Sequence, residues 1–240
     1  MRSLYQALVP HEWRYLFYKF RNPQGFRELR RAVYPSPRGD FSLRGFDESR
    51  AIFVHVPKAA GTSVALGLFG QLPYHYTALQ YRVIFGRKDF ERYFKFSFVR
   101  NPWDRLHSAY TFLQGGGWDD KDRAWFDANL SRFPDFEAFV MDWLTRDRRS
   151  DYIHFRPQVD FVCDRRLNLL VDQLGRFENL ARDYASVARR LGRPETVTHA
   201  NASRKTNYNS AYSDEMKQHV EDVYAEDIET FDYSFERQRP

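Results

Sequence analysis

The chain has 240 residues, of which 18% are aromatic, and carries a formal net charge of +5. This length allows one domain with a full hydrophobic core, and no apolar run approaches the roughly 20 residues that span a bilayer. The net positive charge favours anionic ligands. The 37 basic residues are accompanied by 32 acidic ones, however, and this near balance argues against nucleic-acid binding. The single cysteine, Cys163, excludes an internal disulfide and fits a reducing compartment. We therefore expect a cytoplasmic protein with no transmembrane segment and no nucleic-acid partner.

Residues 1–46 are rich in basic and aromatic side chains, which cluster around Trp13. We predict a helical segment that packs on the core, and the alternative is a helix that binds a membrane surface or a partner. The turn-rich stretch Pro35–Asp40 connects this segment to the rest of the chain. Residues 47–240 are predicted to form a single α/β domain.

Short apolar runs that are typical of buried parallel strands occur at Ala51–Val56, Phe96–Val99 and Leu167–Val171. Helical periodicity lies between them, as in Thr62–Phe69. Asn101-Pro102 is a strong helix start, with Asn as the N-cap residue and Pro at the first helical position. The alternation of strands with helices predicts a central parallel sheet flanked by helices on both faces.

An anion-binding turn is predicted where the first strand ends. Gly61 allows the backbone to approach an oxyanion closely, and Lys58 adds a mobile positive charge. Thr62 and Ser63 offer hydroxyls and amides at a helix N-terminus, where the helix dipole favours negative charge. Because the lysine lies four residues ahead of Thr62, the stretch is not a Walker A loop. The alternative is an ordinary turn whose helix is capped by Thr62 or Ser63.

A second anion-binding element is predicted at the carboxyl end of the second strand. Arg100 stands where open α/β sheets place their ligands, and its guanidinium can grip a phosphate with two hydrogen bonds. Ser108 follows eight residues later, on the helix face opposite Leu106 and Leu113. The alternative is that Arg100 pairs with a carboxylate and that Ser108 faces solvent.

Together, His55-Val-Pro-Lys-Ala-Ala-Gly-Thr-Ser63 and Phe98-Val-Arg-Asn-Pro-Trp-Asp-Arg-Leu-His-Ser-Ala-Tyr110 resemble the paired signature of the carbohydrate sulfotransferases. The resemblance is to sulfotransferase family 2, which is related to the heparan and chondroitin sulfotransferases, and weaker matches extend it over roughly residues 50–235. It implies a P-loop-like three-layer α/β sandwich. It also implies 3′-phosphoadenosine 5′-phosphosulfate (PAPS) as donor, its 3′,5′-bisphosphate (PAP) as product, and a carbohydrate or other hydroxyl as acceptor, an anionic one being compatible with the net charge.

The same resemblance implies which residues bind the donor. The 5′-phosphosulfate would be held by Lys58, Ala60, Gly61, Thr62 and Ser63. The 3′-phosphate would be held by Arg100 and Ser108. A late basic loop would close the nucleotide site through Ser203 and Lys205.

Sulfuryl transfer to a hydroxyl needs a base for the acceptor proton and a cation near the oxygen that leaves. Lys58 suits the second role. We select His75 as the base, because it lies 25 residues ahead of Arg100 and the glycan sulfotransferases that the chain resembles place a catalytic histidine in about that interval. His55 or a carboxylate is the alternative base, and either His107 or His154 could contact the acceptor. The chain shows no metal-ligand spacing, so we expect no metal.

Two other functions are compatible with parts of the pattern. A P-loop-type nucleotide or small-molecule kinase shares the strand–loop–helix start, with Asp172 as its only weak magnesium ligand. A non-enzymatic module could bind glycans or polyanions through basic and aromatic side chains, and this binding would be sensitive to salt.

Overall fold

The computed structural model describes residues 23–197 and 208–235. The strands are β1 Val33–Tyr34, β2 Phe41–Ser42, β3 Ala51–Val54, β4 Phe94–Val99 and β5 Gln173–Arg176. The α-helices are α1 Pro23–Arg31, α2 Arg44–Ser49, α3 Gly61–Phe69, α4 Ala78–Phe85, α5 Arg87–Arg92, α6 Pro102–Gln114, α7 Asp120–Asn129, α8 Phe136–Ala138, α9 Val159–Val162, α10 Leu180–Arg190, α11 Asp214–Val223 and α12 Ala225–Phe231. A π-helix, Phe139–Trp143, continues α8, and short 3₁₀ helices lie at Arg148–Ser150, Phe177–Asn179 and Tyr208–Ala211. Within the described ranges, no helix is long and apolar enough to span a bilayer.

The central sheet is parallel, with the strand order β3-β4-β5. Every residue of β3 and β4 is buried, as expected for strands that are covered on both faces. Because the strands are parallel, the carboxyl ends of all three meet at one edge of the sheet. The predicted α/β fold with a central parallel sheet flanked by helices is confirmed.

The third strand is not the one that the apolar run indicated. Leu167–Val171 is not a strand; its Leu167 and Leu169 are 43% and 47% exposed, and Leu167 has a φ of +61°. The strand is instead β5, six residues further on, which pairs with β4 from Phe96↔Gln173 to Val99↔Arg176. A side chain at Gly175 would place its Cβ 2.5 Å from the ring of Phe98, so close packing on β4 requires glycine there. Packing geometry therefore selects β5 over the more apolar run.

The helix that begins at Asn101 follows the prediction closely. The Asn101 side chain accepts a hydrogen bond from the Trp103 amide and so caps α6. The face of α6 that carries Leu106 and Leu113 is buried in a second hydrophobic core, together with the π-helix and α11. This packing holds α6 against the second hydrophobic core.

The described part of the N-terminal segment contacts the core. Phe26 of α1 is 3% exposed and belongs to the same hydrophobic cluster as β3 and β4. Arg30 forms ion pairs with Asp47 and with Asp89, the latter at 3.1 Å. Residues 1–22 lie outside the described ranges, and the domain division at residue 46 stays a prediction.

Candidate functional site

A cavity of about 630 Å³ opens at the carboxyl edge of the central sheet. The described residues that were predicted to bind the donor or to act as the base all line it, namely His55, Lys58, Ala60, Gly61, Thr62, Ser63, His75, Arg100 and Ser108. His107, which was expected to be able to contact the acceptor, is not among the residues that line it. Ser203 and Lys205 lie outside the described residues, so the predicted closing loop stays a prediction. The two predicted anion-binding elements, 37 residues apart from Ser63 to Arg100, therefore share one cavity.

The turn after β3 presents free amides to this cavity. Lys58 and Ala60 both have left-handed backbone conformations, with φ values of +68° and +63°. Ala60 is the N-cap residue of α3 and makes no side-chain capping hydrogen bond, so the N-cap position is not held by Thr62 or Ser63, contrary to the alternative. The first amides of a helix have no intrahelical partner. The amides of Gly61, Thr62 and Ser63 are therefore available to an anion, in the field of the helix dipole.

Gly61 is required by a neighbouring ring rather than by its own backbone angles. A Cβ atom at this position would lie 1.7 Å from Cδ2 and 1.9 Å from Nε2 of His55. His55 is 7% exposed and stacks on Phe53, with ring centroids 5.5 Å apart. The His55 ring therefore packs directly against the backbone of the turn at Gly61.

Arg100 is held in place by three hydrogen bonds. Its Nε and Nη2 donate to the two carboxylate oxygens of Asp104 at 2.8 and 2.7 Å, and its Nη1 donates to the backbone oxygen of Lys58 at 3.0 Å. The alternative that Arg100 pairs with a carboxylate is thus correct for this guanidinium. A guanidinium has five N–H donors, so two have no hydrogen-bond partner among the described residues. Its contact with the Lys58 backbone also ties the second anion element to the first.

The corner that carries Arg100 is fixed by side chains from later in the chain. Gln158 accepts a hydrogen bond from the Arg100 amide at 2.9 Å and donates to the Arg100 carbonyl at 2.8 Å. Glu178 accepts from the amide of Asn101 at 2.6 Å. Asp227, which is fully buried, accepts from the amides of Gln158 and Val159, both at 2.9 Å. Three side chains from the part of the chain beyond residue 150 therefore hold the backbone around Arg100 in place.

Lys58 lies over an aromatic ring inside the cavity. Its Nζ is 3.8 Å from the centroid of the Phe112 ring, a cation–π distance. Burial and the neighbouring Arg100 charge lower the pKa of Lys58 from 10.5 to about 8, while Asp122 opposes this shift. The ammonium group is thus predominantly charged at neutral pH and close to titrating.

His75 lies beside His55, with ring centroids 4.2 Å apart. Its Nδ1 is 2.9 Å from the backbone oxygen of His55. A carbonyl only accepts, so Nδ1 carries the proton and the Nε2 of the neutral ring is left as an acceptor. Burial lowers the pKa of His75 to about 4, although the hydrogen bond to His55 opposes the shift. The ring is therefore neutral at pH 7 and able to receive a proton.

The sequence did not indicate the pair formed by Asp122 and His154. Asp122 of α7 is 7% exposed, and its Oδ1 lies 3.5 Å from Nε2 of His154 and accepts from the hydroxyl of Tyr152. His154 was expected only as an acceptor contact. No pattern singles out Asp122, because an aspartate in the first turn of a helix is ordinary. Both residues line the cavity.

Asp172, the weak candidate for the magnesium ligand of a kinase, does not line this cavity. Asp172 forms an ion pair with Lys95 at 2.9 Å and accepts from the Lys95 amide at 2.8 Å. Asp172 precedes β5 and Lys95 is near the start of β4, so this carboxylate lies at the edge of the sheet opposite the cavity. Within residues 23–197 and 208–235, no cluster of three or more His, Cys, Asp or Glu side chains could hold a metal ion.

Comparison with known proteins defines the class. The model of the sulfotransferase family matches residues 78–234, a range that includes Arg100 and Ser108 and begins after the Lys58 turn. The chain belongs to the sulfotransferase family. An uncharacterized protein from Archaeoglobus fulgidus is 30% identical over 125 residues, which cover 51% of this chain and 88% of that protein. No solved structure matches the chain.

Proposed function

We propose that this protein transfers a sulfuryl group from PAPS to a hydroxyl of a carbohydrate or similar acceptor and releases PAP. The main support for the proposal is that both predicted anion-binding elements, the Lys58–Ser63 turn and the Arg100/Ser108 pair, line the same cavity. PAPS carries anionic groups at both its 5′ and 3′ positions, so it needs two such elements, whereas a single phosphate cradle would suffice for a simple monoester.

In this proposal the amides of Gly61, Thr62 and Ser63 bind the 5′-phosphosulfate, helped by the left-handed turn at Ala60. The two remaining N–H groups of Arg100 and the hydroxyl of Ser108 bind the 3′-phosphate. Support for this assignment comes from the position of Arg100 at the carboxyl end of β4 and from the hydrogen bonds that orient it.

The transfer forms one bond and breaks another at sulfur. The acceptor oxygen attacks the sulfur atom, the bond from sulfur to the bridging oxygen breaks, and PAP leaves with the electron pair. Lys58 stabilises the charge that develops on the bridging oxygen. His75 takes the proton of the acceptor hydroxyl on Nε2, and its Nδ1–H remains bonded to the His55 carbonyl, which stabilises the imidazolium.

Two aromatic side chains line the part of the cavity where the acceptor would bind. Phe41 and Trp118 line the cavity with ring centroids 6.3 Å apart, and the Arg38 guanidinium lies 4.7 Å from the Trp118 ring. Aromatic faces stack on sugar rings as well as on other apolar groups, and Arg38 suits an acceptor that carries negative charge. These features support a carbohydrate acceptor.

The experiment is a transfer assay that measures PAP release from PAPS in the presence of neutral and acidic saccharides. Acceptor-dependent PAP release is the expected result. Ser108→Ala should raise the KM for PAPS, because it removes one contact to the 3′-phosphate. Thr111→Ala is the matched control, since Thr111 is an exposed hydroxyl one turn further along α6. An equal effect of both variants on KM would contradict the assignment of Ser108.

A further inference from the structure

The cavity contains a buried carboxylate that an anion-binding site does not require. Asp122 is 7% exposed and lines the same cavity as Lys58 and Arg100. Burial alone would raise the pKa of Asp122, but hydrogen bonds from His154, Tyr152 and the Trp118 amide outweigh it and hold the pKa near 2. The group is therefore ionised at every pH at which the protein is expected to work. A negative charge next to a bound polyanion is electrostatically unfavourable. Its presence here therefore indicates that the carboxylate has another role.

One of the two carboxylate oxygens has a structural role. Asp122 Oδ2 accepts from the Trp118 amide at 2.6 Å, and the Asp119 side chain caps the start of α7. Gly117, with a φ of +70°, permits this close approach, because a Cβ there would lie 2.1 Å from Cβ of Asp122. These contacts give Oδ2 a structural role, whereas Oδ1 contacts different groups.

Oδ1 is directed toward the segment that carries His154. It accepts from the Tyr152 hydroxyl and lies 3.5 Å from Nε2 of His154. The backbone of that segment is fixed independently, since Arg105 donates to the carbonyl oxygens of His154 and Arg156 at 3.1 and 2.8 Å. The imidazole of His154 packs edge-on against Phe112, the ring that carries the Lys58 ammonium on its face. A continuous row of contacts thus runs from Asp122 to Lys58.

The charged groups around this row have opposing effects. Burial lowers the pKa of Lys58, His75 and His154, and Asp122 opposes the shift at all three. Arg100 acts against the charged form of Lys58, and Arg105 acts against that of His154. Asp119, the N-cap residue of α7, also lines the cavity, but it is exposed, so solvent screens its charge.

We propose that Asp122 is a positioning residue of the transfer site, whose buried carboxylate holds the His154 ring and supplies a counter-charge for the Lys58 ammonium at the other end of this row of contacts. It acts through these groups and does not contact the donor or the acceptor. The proposal rests on the proposed function. It assigns a role in sulfuryl transfer to a carboxylate for which the motifs provide none.

The test is the pH dependence of PAP binding, measured by calorimetry on the full chain from about pH 6.5 to 9.5. PAP retains the oxygen whose charge Lys58 is proposed to stabilise, so in the wild type the affinity for PAP should fall moderately above a midpoint near pH 8, where Lys58 loses its proton. Lys58→Gln should lack this fall, which identifies the group responsible. Asp122→Asn keeps the shape and should move the midpoint down by roughly half a pH unit or more, because the counter-charge is gone.

Asp120→Asn is the matched control, since it removes an exposed carboxylate from the same helical turn and should leave the midpoint unchanged. A purely structural role of Asp122 would lower the melting temperature of Asp122→Asn without moving the midpoint, and that result would overturn the proposal. If Asp122→Asn does not fold, Asp122→Ser keeps an acceptor for the Trp118 amide and carries the same expectation. Absence of PAP binding by the wild type would overturn the proposed function and this inference together, whereas an unmoved midpoint overturns only the inference.

Discussion

Gly61→Ala should disrupt the anion-binding turn because of a single steric conflict. The new Cβ would lie 1.7 Å from a ring carbon of His55, whereas ordinary contacts begin near 3.4 Å. The ring or the turn must therefore move by roughly 2 Å, in an interior that is close-packed. His55 cannot yield easily, because it stacks on Phe53 and contacts the ring of His75. Overpacking of this kind costs about 1–3 kcal/mol, and we expect the upper end of that range.

A double-mutant cycle in denaturant isolates this conflict. His55→Ala removes the ring that the new methyl group meets, so the double variant should be more stable than the sum of the two single effects by at least about 1 kcal/mol. Gly70→Ala is the matched control: its φ of +67° carries the usual left-handed strain, but no atom of the described residues lies within 4 Å of the added Cβ. Wild-type stability of Gly61→Ala, or an additive cycle, would refute the packing that we describe around the turn.

Three further predictions concern the chemistry. Lys58→Gln should reduce turnover by roughly 10²-fold or more, with little change in melting temperature, because the missing cation acts mainly on the leaving oxygen; an equal loss in PAP affinity and in turnover would place Lys58 in binding alone. His75→Gln should lower turnover by about 10²- to 10⁴-fold while PAP binding is retained, and transfer at the wild-type rate would show that another group is the base. Acid should destabilise the fold: burial lowers the pKa of His55, His75 and His154 in the folded state, so the unfolded chain binds their protons first as the pH falls. The free energy of unfolding should thus decrease from about pH 6.5 toward pH 4, as measured by denaturant titration, and a flat profile would contradict the neutral, buried imidazoles.

The sequence was sufficient to predict the parts of the fold that depend on local patterns. β3 and β4 are continuous apolar runs, and the start of α6 has a strong capping signal at Asn101. β5 was misplaced because it is only partly buried and is selected by the glycine contact with Phe98. That contact joins residues 77 positions apart in the chain, and no local pattern reports it.

The residues that line the cavity after β3 and β4 could be predicted for a similar reason. Lys58 to Ser63 and Arg100 to Ser108 are short contiguous stretches, so the residue types and their spacing can be read directly from the sequence. The environment of these residues was not predictable. The pairing of Arg100 with Asp104, the Phe112 ring beneath Lys58 and the Asp122–His154 contact all depend on side chains that the fold brings together. Such contacts set charge and orientation, which a one-dimensional pattern does not encode.

The most direct test of the account is a calorimetric titration of PAP into the protein without magnesium, beside adenosine 5′-phosphate and ATP. PAP and adenosine 5′-phosphate differ only in the 3′-phosphate that Arg100 and Ser108 are proposed to bind. Micromolar PAP binding with at least about tenfold weaker binding of the other two nucleotides is the predicted result. Equal affinity for PAP and adenosine 5′-phosphate, or binding of ATP alone and only with magnesium, would contradict the account.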